Sequence, residues 1–179
     1  SGTLDYFNKT TTDLLFPSPP IQPAPPSSVV RWINLDGKVI NKGFEILLNG
    51  GIVRSEKFSW DLNVNATFLK NNVTGMPLPV YTGYVGGGTV QIIENGHPMQ
   101  TFYTRKFLGI DKSSGLSVYQ FNDSVSNYYV GNPNPRTLLG ISSTFRYNKL
   151  SITANAYGAF GQDIYNVTEM FVLNVAGIK

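Results

Sequence analysis

The chain has 179 residues, with 14 Lys+Arg against 11 Asp+Glu, no Cys, one His and 41% hydrophobic residues. Only 14% of its residues are charged, whereas an ordinary soluble domain carries about 25%. This composition excludes disulfide scaffolds, thiol catalysis and both Cys and multi-His metal sites. A net charge of +3 without a Lys/Arg run gives no support for nucleic-acid binding, and no apolar run reaches the roughly 18 residues of a membrane-spanning helix.

The first predicted elements are β-strands. Segment 4–16 is predicted as a strand with a polar middle, and segment 41–50 as a second strand. The clearest strand is 58–68, because its apolar residues occupy every second position. Those residues are Phe58, Trp60, Leu62, Val64, Ala66 and Phe68. Such a strand has one apolar face, which points to the core in a soluble sandwich and to lipid in an outer-membrane barrel.

The second half of the chain repeats this pattern. Segments 139–147 and 150–156 are predicted as a hairpin with a tight Asn148-Lys149 turn, and 167–176 as a last strand. Two long connections separate the strands: the proline-rich 17–38, and 70–136 with a short hairpin at about 90–121. Alternating short and long connections are typical of a transmembrane barrel. About six wall strands are too few to close one, since roughly eight are needed.

No catalytic constellation is apparent. The acidic residues are scattered, and His97 before Pro98 is expected to be a solvent-exposed loop residue. Gly83 to Gly88 lack the context of a phosphate loop, and the segment from Asp111 to Gly115 lacks the other carboxylates of a calcium loop. We therefore predict no enzymatic activity, no cofactor and no metal. The segment 132–135 (NPNP) is interpreted as a rigid lead-in to the next strand rather than as a ligand loop.

The predicted binding residues are aromatic side chains of the long connections. Their faces can stack on sugar rings or pack against a partner, although self-packing of the loop or a membrane-interface belt would use the same residues. They are Trp32, Tyr81, Tyr84, Tyr103, Tyr119, Tyr128 and Tyr129.

Five segments carry a family resemblance. They are DYFNKTTTDLL at 5–15, NKGFEI at 41–46, FLGID at 107–111 with Gly115 and Tyr119 behind it, GNPNPR at 131–136 followed by LGI at 139–141, and GAFGQDIYN at 158–166. In order and spacing they resemble the late barrel region of the SusC/RagA family of TonB-dependent outer-membrane nutrient transporters.

The resemblance implies an all-β fold, as part of an antiparallel barrel of about 22 strands in the outer membrane of a Gram-negative bacterium. It also implies a SusD-like surface lipoprotein as a lid, TonB as energy source, and a glycan or peptide as substrate. Residues 1–179 would then be part of one barrel domain, with the plug domain and the TonB-contacting segment outside this chain. The alternative is a soluble β-sandwich that binds glycans or serves as an adhesin domain.

Overall fold

The structure, a computed structural model, describes residues 1–18, 31–85, 88–122 and 125–172. Over these ranges it contains thirteen strands and one short helix. The elements are β1 (Gly2–Thr11), β2 (Leu14–Ser18), β3 (Arg31–Leu35), β4 (Lys38–Arg54), β5 (Phe58–Thr74), β6 (Val80–Val85), β7 (Gly88–Ile93), β8 (Thr101–Thr104), β9 (Phe107–Ile110), β10 (Ser117–Tyr119), β11 (Tyr128–Gly131), β12 (Thr137–Tyr147), β13 (Leu150–Phe160) and α1 (Val167–Val172). The all-β prediction is confirmed.

The longest strands form one antiparallel sheet in the order β1-β4-β5-β12-β13, which we call the wall sheet. Its register places apolar residues beside apolar residues. One row across four strands is Leu48, Val64, Ile141 and Ala156, and the next row on the opposite face is Asn49, Asn63, Ser142 and Asn155. Because side chains alternate between faces, the sheet has one apolar and one mainly polar face.

The large residues of the apolar face are substantially exposed in this chain. They include Leu4, Tyr6, Phe44, Leu48, Phe68, Ile141, Phe145, Tyr147, Leu150 and Ile152. β12 and β13 have 11 residues each, about the 9–11 residues with which a tilted strand crosses a bilayer. β4 and β5 have 17 residues each, so they extend beyond their neighbours.

Both short connections lie at one end of the wall sheet. The Asn148 backbone N–H donates to the carbonyl of Lys57 over 2.9 Å, which joins the β12–β13 turn to the β4–β5 turn. The predicted tight hairpin is confirmed, since Tyr147 pairs with Leu150. Asn148 has φ 51°, a conformation that Asn tolerates better than most residues. The long connections therefore leave from the opposite end.

At that opposite end stands a small sheet of four short strands in the order β11-β8-β7-β6. The extended ends of β4 and β5 pack against it through a buried cluster of Val39, Val73, Met76 and Ile93. Val73 and Ile93 have no exposed surface. The principal apolar core of the described chain thus lies at the end of the wall sheet, where Val39 and Val73 meet residues of the connection 70–136, for which only one hairpin was predicted. Two further hairpins, β2–β3 and β9–β10, complete the strands.

Two strand predictions are corrected. Segment 4–16 is interrupted at Asp13, where φ is 55°, so β2 leaves the wall and pairs with β3. Segment 167–172 is helical, because the Asn166 side chain accepts from the Glu169 N–H and donates to the Glu169 carboxylate, both over 3.0 Å. This reciprocal cap favours a helix start. The wall sheet therefore has five described strands instead of about six.

Some predictions fall on residues outside the described ranges. They are the prolines from Pro19 to Pro26, the glycines Gly86 and Gly87, Asp123, and the end of the predicted strand, 173–176. No helix within the described ranges has the length and apolar character needed to cross a membrane.

Candidate binding surface

Three of the predicted tyrosines meet on one face of the small sheet. Tyr81 on β6, Tyr103 on β8 and Tyr129 on β11 are brought to this face by the register, in which Tyr103 is the direct partner of Tyr129. The ring centroids are 6.2 Å apart between Tyr81 and Tyr103 and 5.1 Å apart between Tyr103 and Tyr129. These distances lie within the range of favourable aromatic pairs.

His97 extends this group by one ring. Its imidazole stacks on Tyr129 with centroids 3.9 Å apart and planes inclined by 12°. The expectation of a solvent-exposed loop residue is therefore wrong, since His97 is half-buried. We call Tyr81, Tyr103, Tyr129 and His97 the aromatic row.

A hydrogen bond holds Tyr129 within the aromatic row. The Tyr129 hydroxyl donates to the Glu94 carboxylate. This hydrogen bond, together with partial burial, raises the pKa of Tyr129 from 10.0 to about 12. The phenol is therefore neutral over the physiological pH range, and the Glu94 carboxylate is held beside the rings.

The middle of the opposite face of the small sheet is covered by the chain. Phe102 is 7% exposed and lies 6.1 Å from the ring of Tyr165, while Ile93 belongs to the buried cluster. The aromatic row, in contrast, keeps accessible surface, since Tyr81 and Tyr129 are 49% and 46% exposed. On the face that carries the aromatic row, neighbouring rings therefore keep surface available to a ligand, whereas on the opposite face the exposed ring of Tyr84 lies away from the buried Phe102.

A cleft of 390 Å³ lies between residues 69–72 of β5 and the loop residues Gly96, Pro98 and 132–136. Asn71 accepts from the Met99 N–H over 2.6 Å, and the Asn134 side-chain amide donates to the Met99 carbonyl over 2.7 Å. Asn132 is buried; its backbone N–H donates to the Asp163 carboxylate over 2.8 Å, and its carbonyl accepts from the Asp163 N–H over 2.7 Å. These asparagines are committed to holding the segments together, which supports the interpretation of 132–135 as a lead-in to β12.

The other predicted binding residues lie apart from the aromatic row. Tyr84 and Tyr128 alternate onto the opposite face of the small sheet. Tyr119 packs edge-on against Phe107 in the β9–β10 hairpin, with centroids 5.8 Å apart. Trp32 is 68% exposed on β3. His97 and Glu94 were not among the predicted binding residues, and no local pattern in the sequence distinguishes them.

The Asp111 loop is satisfied internally. The Asp111 carboxylate accepts from the Ser113 backbone N–H over 2.9 Å and from the hydroxyls of Ser113 and Ser114. These hydrogen bonds lower the pKa of Asp111 below its usual 3.8. In the part of the chain that the structure describes, no three His, Cys, Asp or Glu side chains are grouped so as to hold a metal ion.

Known proteins similar to this chain are TonB-dependent receptors. TonB-dependent receptor P3 of Formosa agariphila is 23% identical over 93% of the chain, and receptor P39 of the same organism is 32% identical over 60%. No family model matches. The chain spans 19% and 10% of the length of these two curated relatives.

Solved structures give the same result for the fold. The RagAB peptide transporter matches 89% of the chain with a TM-score of 0.71 at 19% identity, and the RagAB peptide importer in the 'closed-closed' state matches 90% with a TM-score of 0.72 at 20% identity. Each match covers 19% of the solved chain. The predicted resemblance is confirmed: over most of its length this chain is similar in sequence to TonB-dependent receptors, and its all-β, antiparallel fold matches a segment of the RagAB structures.

Proposed function

We propose that this chain is a segment of the barrel wall of a TonB-dependent transporter in a Gram-negative outer membrane. The observation that carries the proposal is the two-faced wall sheet, with exposed Phe44, Phe68 and Phe145 on one face and Asn63 and Ser142 on the other. Lipid would cover the apolar face and water the polar one. Residues 1–179 would be one part of a single barrel domain, and the plug and TonB contact would be supplied from outside this chain.

The edges of the wall sheet support the same proposal. β1 and β13 each pair on one side only within the described residues. An open edge on a long strand is a liability in water, and a closed barrel removes it. A soluble β-sandwich would need a second sheet across the apolar face, and in the described ranges residues such as Tyr6 and Ile152 remain 60% and 56% exposed.

The aromatic row would contribute to capture of the substrate. It lies on the side of the long connections, which are extracellular in barrels of this class. Neutral aromatic faces beside a carboxylate suit the stacking of sugar rings or of apolar and cationic peptide side chains. Peptides are the cargo named for RagAB, so we propose a glycan or peptide substrate here, taken up under a SusD-like lipoprotein by binding and transport rather than by catalysis.

The complete native protein that contains this chain provides the test. We expect an epitope-tagged copy to fractionate with the outer membrane, to have about five times the 19.7 kDa of this chain, and to co-purify with a lipoprotein in mild detergent. A water-soluble species of 19.7 kDa would contradict the proposal.

Substrate capture is tested on the same protein by replacing the aromatic row. We expect Tyr81→Ala with Tyr103→Ala to weaken binding of fluorescent oligopeptides or oligosaccharides about tenfold or more, because each aromatic contact contributes about 0.5–1.5 kcal/mol. Tyr84→Ala, on the opposite face, is the matched control. If both variants lost the same affinity, the aromatic row would not be part of the binding surface. The kind of probe that binds the wild type, peptide or oligosaccharide, would identify the substrate class.

A further inference from the structure

Two lysines stand directly opposite each other on the apolar side of the wall sheet. Lys42 on β4 pairs with Lys70 on β5, and Asn8 on β1 pairs with Lys42 on its other side. The next pair on the same face is Phe44 with Phe68. Both lysines are exposed, so they form a basic row at the edge where the apolar face ends.

The backbones of β4 and β5 approach each other closely beside this lysine pair. Gly43 lies between Lys42 and Phe44 and approaches β5 closely. A Cβ atom at Gly43 would lie 1.9 Å from the Phe68 carbonyl oxygen and 3.0 Å from the Leu69 Cα. The close approach of the two strands therefore depends on glycine at this position, directly beside the pair in which Lys42 lies opposite Lys70.

The charge of this pair is not neutralised by the described part of the chain. Like charges directly opposite on neighbouring strands repel each other. The carboxylates of the wall strands, Asp5, Glu45 and Asp61, alternate onto the polar face. The ion pairs formed between described residues involve Asp61 with Arg54 and Arg146, and neither lysine takes part in one.

We propose that Lys42, Lys70 and Asn8 bind the phosphate group of a membrane-lipid headgroup. Neighbouring strands lie about 4.8 Å apart, which allows one phosphate to accept charge-assisted hydrogen bonds from both ammonium groups. The acyl chains of the lipid would lie along Phe44 and Phe68. The inference rests on the proposed function, since it requires the apolar face to contact lipid at the end of the long connections.

Native mass spectrometry of the complete protein in detergent tests the inference, with three probes: lipid A with its phosphates, the same lipid dephosphorylated, and inorganic phosphate. We expect the wild type to retain phosphorylated lipid A and the double variant Lys42→Gln, Lys70→Gln to bind it about 30-fold more weakly. The double variant Lys42→Arg, Lys70→Arg should retain binding. Lys106→Gln with Lys112→Gln, which removes two exposed charges near the β9–β10 hairpin, is the matched control.

Three outcomes would overturn the inference. Equal retention of the phosphorylated and the dephosphorylated lipid would show that the phosphate group is not recognised. Undiminished binding of lipid A by the glutamine variant would show that the two lysines do not bind it. If inorganic phosphate bound as tightly as the lipid, the ligand of Lys42, Lys70 and Asn8 would be free phosphate rather than a lipid headgroup. Heat-dependent migration in gels checks that each variant is folded. Failure of the proposed function is distinguishable, because the wild type would then be absent from the membrane fraction.

Discussion

The wall sheet and the small sheet solve the problem of apolar side chains in opposite ways. In the wall sheet Phe44 is 50% exposed and Leu48 is 52% exposed, although they belong to the longest strands of the chain. In the small sheet Ile92 and Ile93 are 2% and 0% exposed. The apolar side chains of the wall sheet are left uncovered by the described part of this chain, whereas those of the small sheet are buried in a core that the chain itself supplies. This is the contrast expected if the wall sheet faces lipid, as proposed, and the small sheet lies in water.

The hydrogen bonds of polar side chains also differ between the wall sheet and the small sheet. On the apolar face of the wall, the Trp60 indole N–H donates to the Ser143 hydroxyl over 2.9 Å while its ring stacks on Phe145 at 5.4 Å. Internal satisfaction of this kind is required where lipid replaces water. In the small sheet the Tyr129 hydroxyl and Glu94 stay near the surface, where water can replace either partner.

Substitution in the core of the small sheet should be the most destabilising of these changes. Ile93→Ala would remove a fully buried side chain from the cluster with Val39, Val73 and Met76, and large-to-small core changes cost about 2–5 kcal/mol. We expect faster amide hydrogen exchange in the small sheet of the complete protein, with little change in β12 and β13. Unchanged exchange in the small sheet would mean that this cluster does not hold it.

A slightly smaller effect separates the two faces of the wall. Ile141→Arg places a charge in the middle of the proposed lipid face, where such a change costs about 2–4 kcal/mol. Ser142→Arg places the same charge one residue away on the polar face and should be much better tolerated. The amount of folded, membrane-inserted protein, measured by heat-dependent gel migration, reports both. If both variants reduced the amount of folded, membrane-inserted protein equally, the two faces of the wall sheet would not differ in their surroundings.

The smallest effect concerns Tyr129 and appears only at high pH. Its folded pKa of about 12 lies above the ordinary 10.0, so the stabilisation from its hydrogen bond is complete below pH 10 and is lost as pH rises through 12. We expect spectrophotometric titration of the complete protein to show one fewer phenol with a raised pKa in the Tyr129→Phe variant than in the wild type. In Glu94→Gln that phenol should titrate nearer pH 10, and an unshifted titration would contradict the assigned hydrogen bond.

The sequence predicted the wall far better than the small sheet, and the reason is physical. Strict alternation over 58–68 determines both the strand and its two faces, because a slip of one residue would reverse every side chain. The small strands have four to six residues, too short for a clear alternating pattern, and β8 pairs with β11 across the β9–β10 hairpin. The contact between His97 and Tyr129, 32 residues apart in sequence, therefore had no local signal.

The helix at 167–172 is a different case, since its signal was present. Asn166 stands three residues before Glu169, a spacing that caps a helix, yet the apolar residues of this segment favoured a strand. Of the predicted binding residues, three lie together in the aromatic row, and the others were separated by strand alternation or by distance along the fold. Aromatic composition identified candidates, but only register determined which of them meet.

The proposed function requires the apolar face of the wall sheet to contact lipid and the polar face to contact water. Single cysteines along β5 of the complete protein, in native outer membranes and a cysteine-free background, test it most directly. We predict that cysteines at Asn63, Asn65 and Thr67 react with a water-soluble maleimide, whereas those at Leu62, Val64 and Ala66 are protected and instead react with a bilayer-resident probe. Uniform labelling, or protection of the asparagine positions, would contradict the account.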